Sequence, residues 1–203
     1  HKDSMGNTGE ITSGDVQWMT AGRAILHEEM PEGFGGHMEG FQLWVNLPAH
    51  LKMMEPRYQE IKAEKIPWMN PTNGVTIRLI AGRFGDVTGP VTDIAADPLY
   101  MDVTVYGGDK FELDVPGGYN AFIYVFNGGG NFCGTEVEAT RLLVLGEGER
   151  IEVIGGLLGV RFLLVAGKPF NEPIVRYGPI VMNTEEEIHQ TLRELRNGTF
   201  IRS

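Results

Sequence analysis

The chain has 203 residues, of which 42% are hydrophobic and 22% are charged. These proportions are those of globular proteins, and a chain of this size can bury a hydrophobic core without stabilising disulfides or metal ions. A disordered chain and a disulfide-dependent chain are therefore excluded. The 17 basic and 27 acidic residues give a net charge of −10 without a cluster of Lys and Arg, which excludes direct nucleic-acid binding through a basic surface.

Short strands separated by turns are predicted along most of the chain. The 28 glycines and 11 prolines are spread out rather than repeated, which is typical of many turns and therefore of many strands. The apolar residues at 41, 43, 45 and 47 alternate with Gln42 and Asn46, which is the period of a half-buried strand. The same reasoning predicts strands at 40–47, 75–80, 99–106, 121–126, 141–145, 150–154 and 160–165. The pattern predicts an all-β fold, a sandwich or a barrel.

Two segments depart from this strand pattern. The stretch 55–71 is charged and punctuated by prolines, and we interpret it as a linker with a short helical turn. A capping box at Thr184 and Glu187 predicts a helix with apolar residues at 188, 192 and 195 on one face, ending at Asn197 and Gly198. We therefore expect a first domain over residues 1–67, linker included, and a second domain over 68–203 with the helix.

Candidate metal ligands are confined to the first domain. The five histidines are His1, His27, His37, His50 and His189. The second domain offers no plausible transition-metal site, because it has one cysteine, Cys133, and its only histidine lies on the predicted helix. If residues 25–29 form a strand, His27 and Glu29 share a face, and an imidazole with a carboxylate makes half of a non-haem iron or manganese site. An exposed pair that arose by chance is the alternative.

Several blocks in order along the chain resemble the pirin family. Residues 14–31, GDVQWMTAGRAILHEEMP, are similar to the most distinctive block of that family. Further similar blocks lie at 41–48, 55–59, 145–148 and 178–184. The resemblance implies a bicupin, that is, two cupin-type double-stranded β-helix barrels. The first barrel would be the metal-binding one and incomplete in this chain, and the second would carry the short C-terminal α-helix and no metal.

The resemblance also implies a metal site. Members of the family hold one mononuclear iron-type metal through three histidines and one glutamate. The third histidine falls on His27 and the glutamate on Glu29, and we expect the two further histidines upstream of this chain, since His1 matches a different position. Fe(II) is the expected metal, with Mn, Ni, Cu or Zn as alternatives, and a fragment lacking the upstream ligands could hold none. Ala24 stands where glycine is usual, a departure not expected to reach the metal.

Three functions follow from this resemblance. The first is a metal-dependent dioxygenase similar to quercetin 2,3-dioxygenases, in which Glu29 is also the catalytic group that takes the proton of a flavonol hydroxyl. The second is an iron-dependent transcriptional co-regulator or modulator of a partner protein. The third is a remnant that binds neither metal nor substrate.

The setting of the protein follows from composition. The lone Cys133 cannot form an internal disulfide, which favours a reducing compartment, so we expect the cytoplasm, or the nucleus in a eukaryote. No apolar run approaches the ~20 residues of a membrane span. We expect a monomer that binds a flavonol-like aromatic substrate or a partner protein and contacts neither nucleic acid nor membrane.

Overall fold

Antiparallel strands are the main regular structure of the computed structural model, and one helix lies near its end. The structure describes residues 2, 3, 6, 8–28, 30 and 39–201. The strands are β1 (Lys2–Asp3), β2 (Val16–Thr20), β3 (His27–Glu28), β4 (Arg57–Ile61), β5 (Trp68–Thr72), β6 (Val75–Ala81), β7 (Arg83–Phe84), β8 (Val87–Thr88), β9 (Leu99–Val105), β10 (Lys110–Asp114), β11 (Asn120–Phe132), β12 (Thr135–Glu138), β13 (Arg141–Val144), β14 (Arg150–Gly167), β15 (Val175–Tyr177) and β16 (Ile180–Met182). The helix α1 spans Glu185–Arg196, and 3-10 turns span Ala49–Leu51 and Ala63–Lys65. The predicted all-β class with a C-terminal helix is confirmed.

The chain divides into two compact units. The first unit comprises His1–Glu60 and Phe170–Ser203, and the second comprises Ile61–Pro169. The sequence led us to expect the C-terminal helix in the second domain, whereas the structure groups it with the first unit. The physical reason is that Met182 and Ile188 are buried in a cluster that also packs against Ala24 of the first unit.

The second unit contains an eight-stranded sheet with the order β12-β11-β14-β9-β6-β5, in which β10 also pairs with β14 and β13 with β11, and the small hairpin β7-β8. Alternate residues of β10 and of the first half of β11 are buried, as the two-residue period requires. The rings of Phe111 and Phe132 contact Phe162 edge to face, with centroids 6.0 and 5.4 Å apart. The interior is therefore filled by hydrocarbon, and aromatic pairs of this geometry each add about 0.5–1.5 kcal/mol beyond their burial.

The hairpin between β5 and β6 has the turn that the sequence predicts. Thr72 pairs with Val75, which leaves Asn73 and Gly74 as a two-residue loop. Asn-Gly is a common signal for a two-residue hairpin loop, although neither Asn73 nor Gly74 has the positive φ of a type I′ turn in this structure. The stretch 55–71, interpreted as a linker, contains the boundary between the two units at Glu60 and Ile61 and the expected helical turn at Ala63–Lys65. It also contains β4 and most of β5, which were not expected there.

Two strand predictions are also wrong. Residues 40–47 are assigned to no strand, and Phe41 and Trp44 are 50% and 62% exposed. Alternation specifies which face a residue prefers, but a strand also needs a pairing partner. The two strands expected at 150–154 and 160–165 form the single strand β14, because Gly155 lets it pass close to β9. A Cβ at Gly155 would lie 2.3 Å from the carbonyl oxygen of Tyr106.

Both ends of α1 are closed by hydrogen bonds within the chain. The hydroxyl of Thr184 accepts a hydrogen bond from the Glu187 N–H at 3.2 Å, and the Glu187 carboxylate accepts the Thr184 N–H at 2.8 Å. This is the predicted capping box. At the other end, the Thr199 N–H donates to the Glu194 carbonyl at 2.9 Å and Gly198 has φ +68, a Schellman arrangement. Leu195, expected on the packed face, is 38% exposed.

In the part of the chain that the structure describes, no helix is long and apolar enough to cross a membrane.

Candidate functional site

A tight turn directs the chain from β2 towards His27. Gly22 has φ +53, and a Cβ at this position would lie 2.2 Å from the carbonyl oxygen of Met54. The neighbouring Arg23 N–H donates to the same carbonyl at 3.0 Å. Only glycine combines positive φ with such a close backbone approach. The turn therefore fixes the start of the segment that carries the candidate ligand.

His27 lies on the short strand β3. β3 pairs antiparallel with β1, so that Asp3 lies opposite His27 and Lys2 opposite Glu28. His27 and Glu28 are both exposed. The second predicted ligand, Glu29, lies outside the described residues. That His27 and Glu29 share an inward face of a barrel therefore stays a prediction.

The described residues supply part of the donor set that a metal ion needs. Within the described ranges, no three His, Cys, Asp or Glu residues lie in a group that could hold a metal ion. An accessible imidazole is an ordinary ligand for first-row transition metals, so His27 fits one position of such a site. The other histidines of the described part lie on the 3-10 turn (His50) and on α1 (His189). The described residues therefore fit one ligand position and do not complete a site.

A buried lysine, Lys52, lies at the centre of the first unit's polar contacts. It is 6% exposed, and its Nζ donates to Asn46 Oδ1 at 2.7 Å and to the Val181 carbonyl at 3.2 Å. Burial lowers the pKa of Lys52 below its usual value, and the charges of Glu172 and Glu187 oppose that shift. Sequence analysis missed Lys52 because its partner Val181 is 129 residues away.

Glu172 makes a second polar connection in the same region. One of its carboxylate oxygens accepts the Ala49 N–H at 2.7 Å and the side-chain amide of Asn183 at 3.0 Å. That amide also donates to the Pro173 carbonyl at 3.0 Å. Charge-assisted bonds of this length are stronger than neutral ones. Segments 46–52 and 172–183 are thus joined by both a buried cation and a carboxylate.

Charged groups of the second unit pair with one another. Asp102 accepts two hydrogen bonds from Arg161, at 2.9 and 2.6 Å, and Arg78 lies 3.8 Å away. Burial, with a smaller contribution from Asp102, raises the pKa of the neighbouring Tyr100 to about 12. A bidentate arginine pair of this kind satisfies a buried carboxylate, and we interpret the group as structural.

Two pirin family models match the chain. The model of the pirin C-terminal cupin domain matches residues 100–201, and the model described as Pirin matches residues 1–45. The second match includes the turn at Gly22 and the strand that carries His27.

Relatives of known name match nearly the whole chain. A Pseudomonas aeruginosa protein, provisionally named quercetin 2,3-dioxygenase, is 42% identical over 205 residues, which cover 98% of this chain and 72% of that protein. Human pirin is 41% identical over 202 residues, covering 97% of this chain and 69% of pirin. The crystal structure of a quercetin 2,3-dioxygenase from Acinetobacter baumannii superposes with a TM-score of 0.85 at 35% identity, covering 98% of this chain and 71% of the other.

Proposed function

This chain belongs to the pirin family of cupin proteins, and we propose on that basis that it acts as a metal-dependent dioxygenase of the quercetin 2,3-dioxygenase type. The observation that carries the proposal is the superposition on the Acinetobacter baumannii quercetin 2,3-dioxygenase, with a TM-score of 0.85 over 98% of this chain. A fold alone hosts many activities. The 35% identity across the same residues is what favours this chemistry over others.

The proposed site uses two residues of this chain. His27 supplies an imidazole and Glu29 a carboxylate to one mononuclear metal, with Fe(II) as the first choice and Mn, Ni, Cu or Zn as alternatives. When bound, the metal would supply Lewis acid chemistry to the substrate hydroxyl. Glu29 would take the proton of that hydroxyl, since a carboxylate within hydrogen-bond reach is an effective base. The proposed substrate is a flavonol-like aromatic molecule.

Substitution of His27 tests the metal site. We expect His27→Gln in the full-length protein to weaken Fe(II) binding by more than about tenfold, because even changes around a ligand cost 10–100-fold. His189→Gln is the matched control, since His189 is an exposed histidine on α1 of the same unit. Metal content after anaerobic loading is the measurement. Equal metal content in the two variants would remove His27 from the proposed site.

Substitution of Glu29 tests the catalytic role. We expect Glu29→Gln to slow quercetin loss, followed by absorbance, because the amide cannot accept the proton. Each variant is compared at equal metal occupancy, so that weaker binding is separated from lost proton transfer. Unchanged turnover at equal occupancy would show that Glu29 is not the base.

A second candidate function is iron-dependent regulation of a partner protein or of transcription. It is favoured by exposed apolar residues on β13, where Leu142 and Val144 are 59% and 80% exposed. They line a groove of about 360 Å³ together with residues such as Phe122. A pulldown that depends on the redox state of iron, and that Leu142→Ser abolishes without changing quercetin turnover, would support regulation. A pulldown insensitive to both would count against it.

A further inference from the structure

We propose that the C-terminal segment, residues 170–201, holds the His27-bearing segment in position, and that Lys52 is the positioning residue through which it acts. The placement of residues 22–28 is argued from contacts within the first unit. Its consequence for metal binding rests on the proposed function. Two routes of contact, one polar and one apolar, carry the proposal.

The polar route begins at the C-terminal segment. The Val181 carbonyl accepts a hydrogen bond from Lys52 Nζ at 3.2 Å, and the Glu172 carboxylate accepts the Ala49 N–H at 2.7 Å. Lys52 also donates to Asn46 Oδ1 at 2.7 Å, which in turn accepts the Leu47 N–H at 2.9 Å. Segment 46–52 is therefore tied to the C-terminal segment at Ala49 and at Lys52, and Lys52 in turn holds Asn46.

The same route continues to the turn before His27. Met54 follows the 3-10 turn Ala49–Leu51, and its N–H donates to the Leu51 carbonyl at 3.0 Å. The Met54 carbonyl then accepts the Arg23 N–H at 3.0 Å and leaves no room for a Cβ at Gly22. A displacement of residues 49–54 is thus transmitted directly to the backbone at 22–23, because close-packed backbone cannot absorb it.

The apolar route is a direct contact. Ala24 packs against the hydrophobic cluster formed by the buried side chains of Met182, Ile188 and Phe200. These three side chains are 8%, 5% and 6% exposed. Ala24 lies three residues before His27 and stands where the family usually has glycine. Its methyl group contacts the C-terminal segment. The departure at Ala24, not expected to reach the metal, thus takes part in this contact.

The energetics favour a positioning role over a purely stabilising one for Lys52. Burying an ammonium group costs several kcal/mol. Its hydrogen bonds to neutral oxygens and the nearby charges of Glu172 and Glu187 offset only part of that cost, since the pKa of Lys52 stays below its usual value. An apolar side chain of similar length would avoid the penalty. A buried charge is therefore better explained by the fixed geometry that its directional bonds impose on Asn46 and Val181.

Hydrogen exchange of Lys52→Met tests the positioning. Methionine keeps the length and burial of the side chain and removes the donor. We expect the Arg23 amide to exchange about tenfold faster, because its acceptor Met54 loosens, while amides of α1 keep their protection. Lys168→Met is the matched control, since Lys168 is an exposed lysine of the second unit. Unchanged exchange at Arg23, or an equal loss throughout the first unit, would overturn the proposal.

Metal affinity is the second measurement, because a purely structural role of Lys52 would leave it unchanged. We expect Lys52→Met to weaken Co(II) binding by about tenfold and to shift its visible spectrum at unchanged stoichiometry, whereas His27→Gln loses the site. If the wild-type protein binds no metal, the proposed function fails, and the exchange result still decides the positioning.

If Lys52→Met does not fold, Glu172→Ala decides, since it removes the acceptor of the Ala49 N–H. Unchanged exchange at Arg23 in that variant would refute the proposal.

Discussion

Gly22→Ala is expected to destabilise the first unit strongly. The left-handed conformation at φ +53 costs an alanine about 1–2 kcal/mol. The added Cβ would also lie 2.2 Å from the Met54 carbonyl oxygen, where real contacts stay beyond 3.0 Å. Relieving such an overlap by moving packed backbone costs a further ~1–3 kcal/mol. The expected loss is therefore about 2–5 kcal/mol, a large part of the ~5–15 kcal/mol that folds a typical domain.

Tryptophan fluorescence isolates this effect. The chain has three tryptophans, and a Trp68→Phe background leaves Trp18 and Trp44, which both belong to the first unit. Urea unfolding followed by their emission then reports on the first unit. Gly40→Ala is the matched control, because no atom of the described residues lies within 4 Å of its Cβ position. Equal unfolding midpoints for Gly22→Ala and Gly40→Ala would refute the reasoning about the turn.

Three further outcomes are expected. Phe162→Ala should destabilise the second unit by about 3–5 kcal/mol in urea unfolding, because Phe162 is 0% exposed; a loss below about 1 kcal/mol would contradict its place in the core. Thr184→Ala should cost the first unit about 1 kcal/mol and leave the second unchanged, whereas Thr184→Ser should restore most of the loss. Because the pKa of folded Tyr100 is raised to about 12, its contribution to stability is full below pH ~10, the unfolded value, and is lost as pH rises through about 12. Absorbance titration at alkaline pH should lack that late transition in Tyr100→Phe, and an identical titration would contradict the assigned burial.

Local patterns predicted the features that depend on a few neighbouring residues. The loop at Asn73 and Gly74 and the capping box at Thr184 were predicted because each is specified within four residues. The alternation in β6 and β9 was predicted for the same reason, since adjacent side chains point to opposite faces. These elements recur in the structure with boundaries shifted by one or two residues at most.

The candidate ligands came from the sequence by a different route. From spacing alone, a metal-binding face shared by His27 and Glu29 was one of two alternatives, the other being an exposed pair that arose by chance. The resemblance of residues 14–31 to the pirin family favoured the shared face. Family membership is now shown, while the ligand roles stay predictions. The contacts that surround the site were not predictable, because Lys52 has no local motif and a lone lysine is usually a solvated residue.

What the sequence determined by itself is the all-β class, the turn residues and the family. Tertiary structure decided that 40–47 forms no strand, that β14 is continuous and that the C-terminal segment belongs to the first unit. It also decided that Lys52 is buried, bonded to a carbonyl 129 residues away. The physical reason is that a backbone conformation responds to its nearest neighbours, whereas strand pairing and burial depend on which distant segments meet in space.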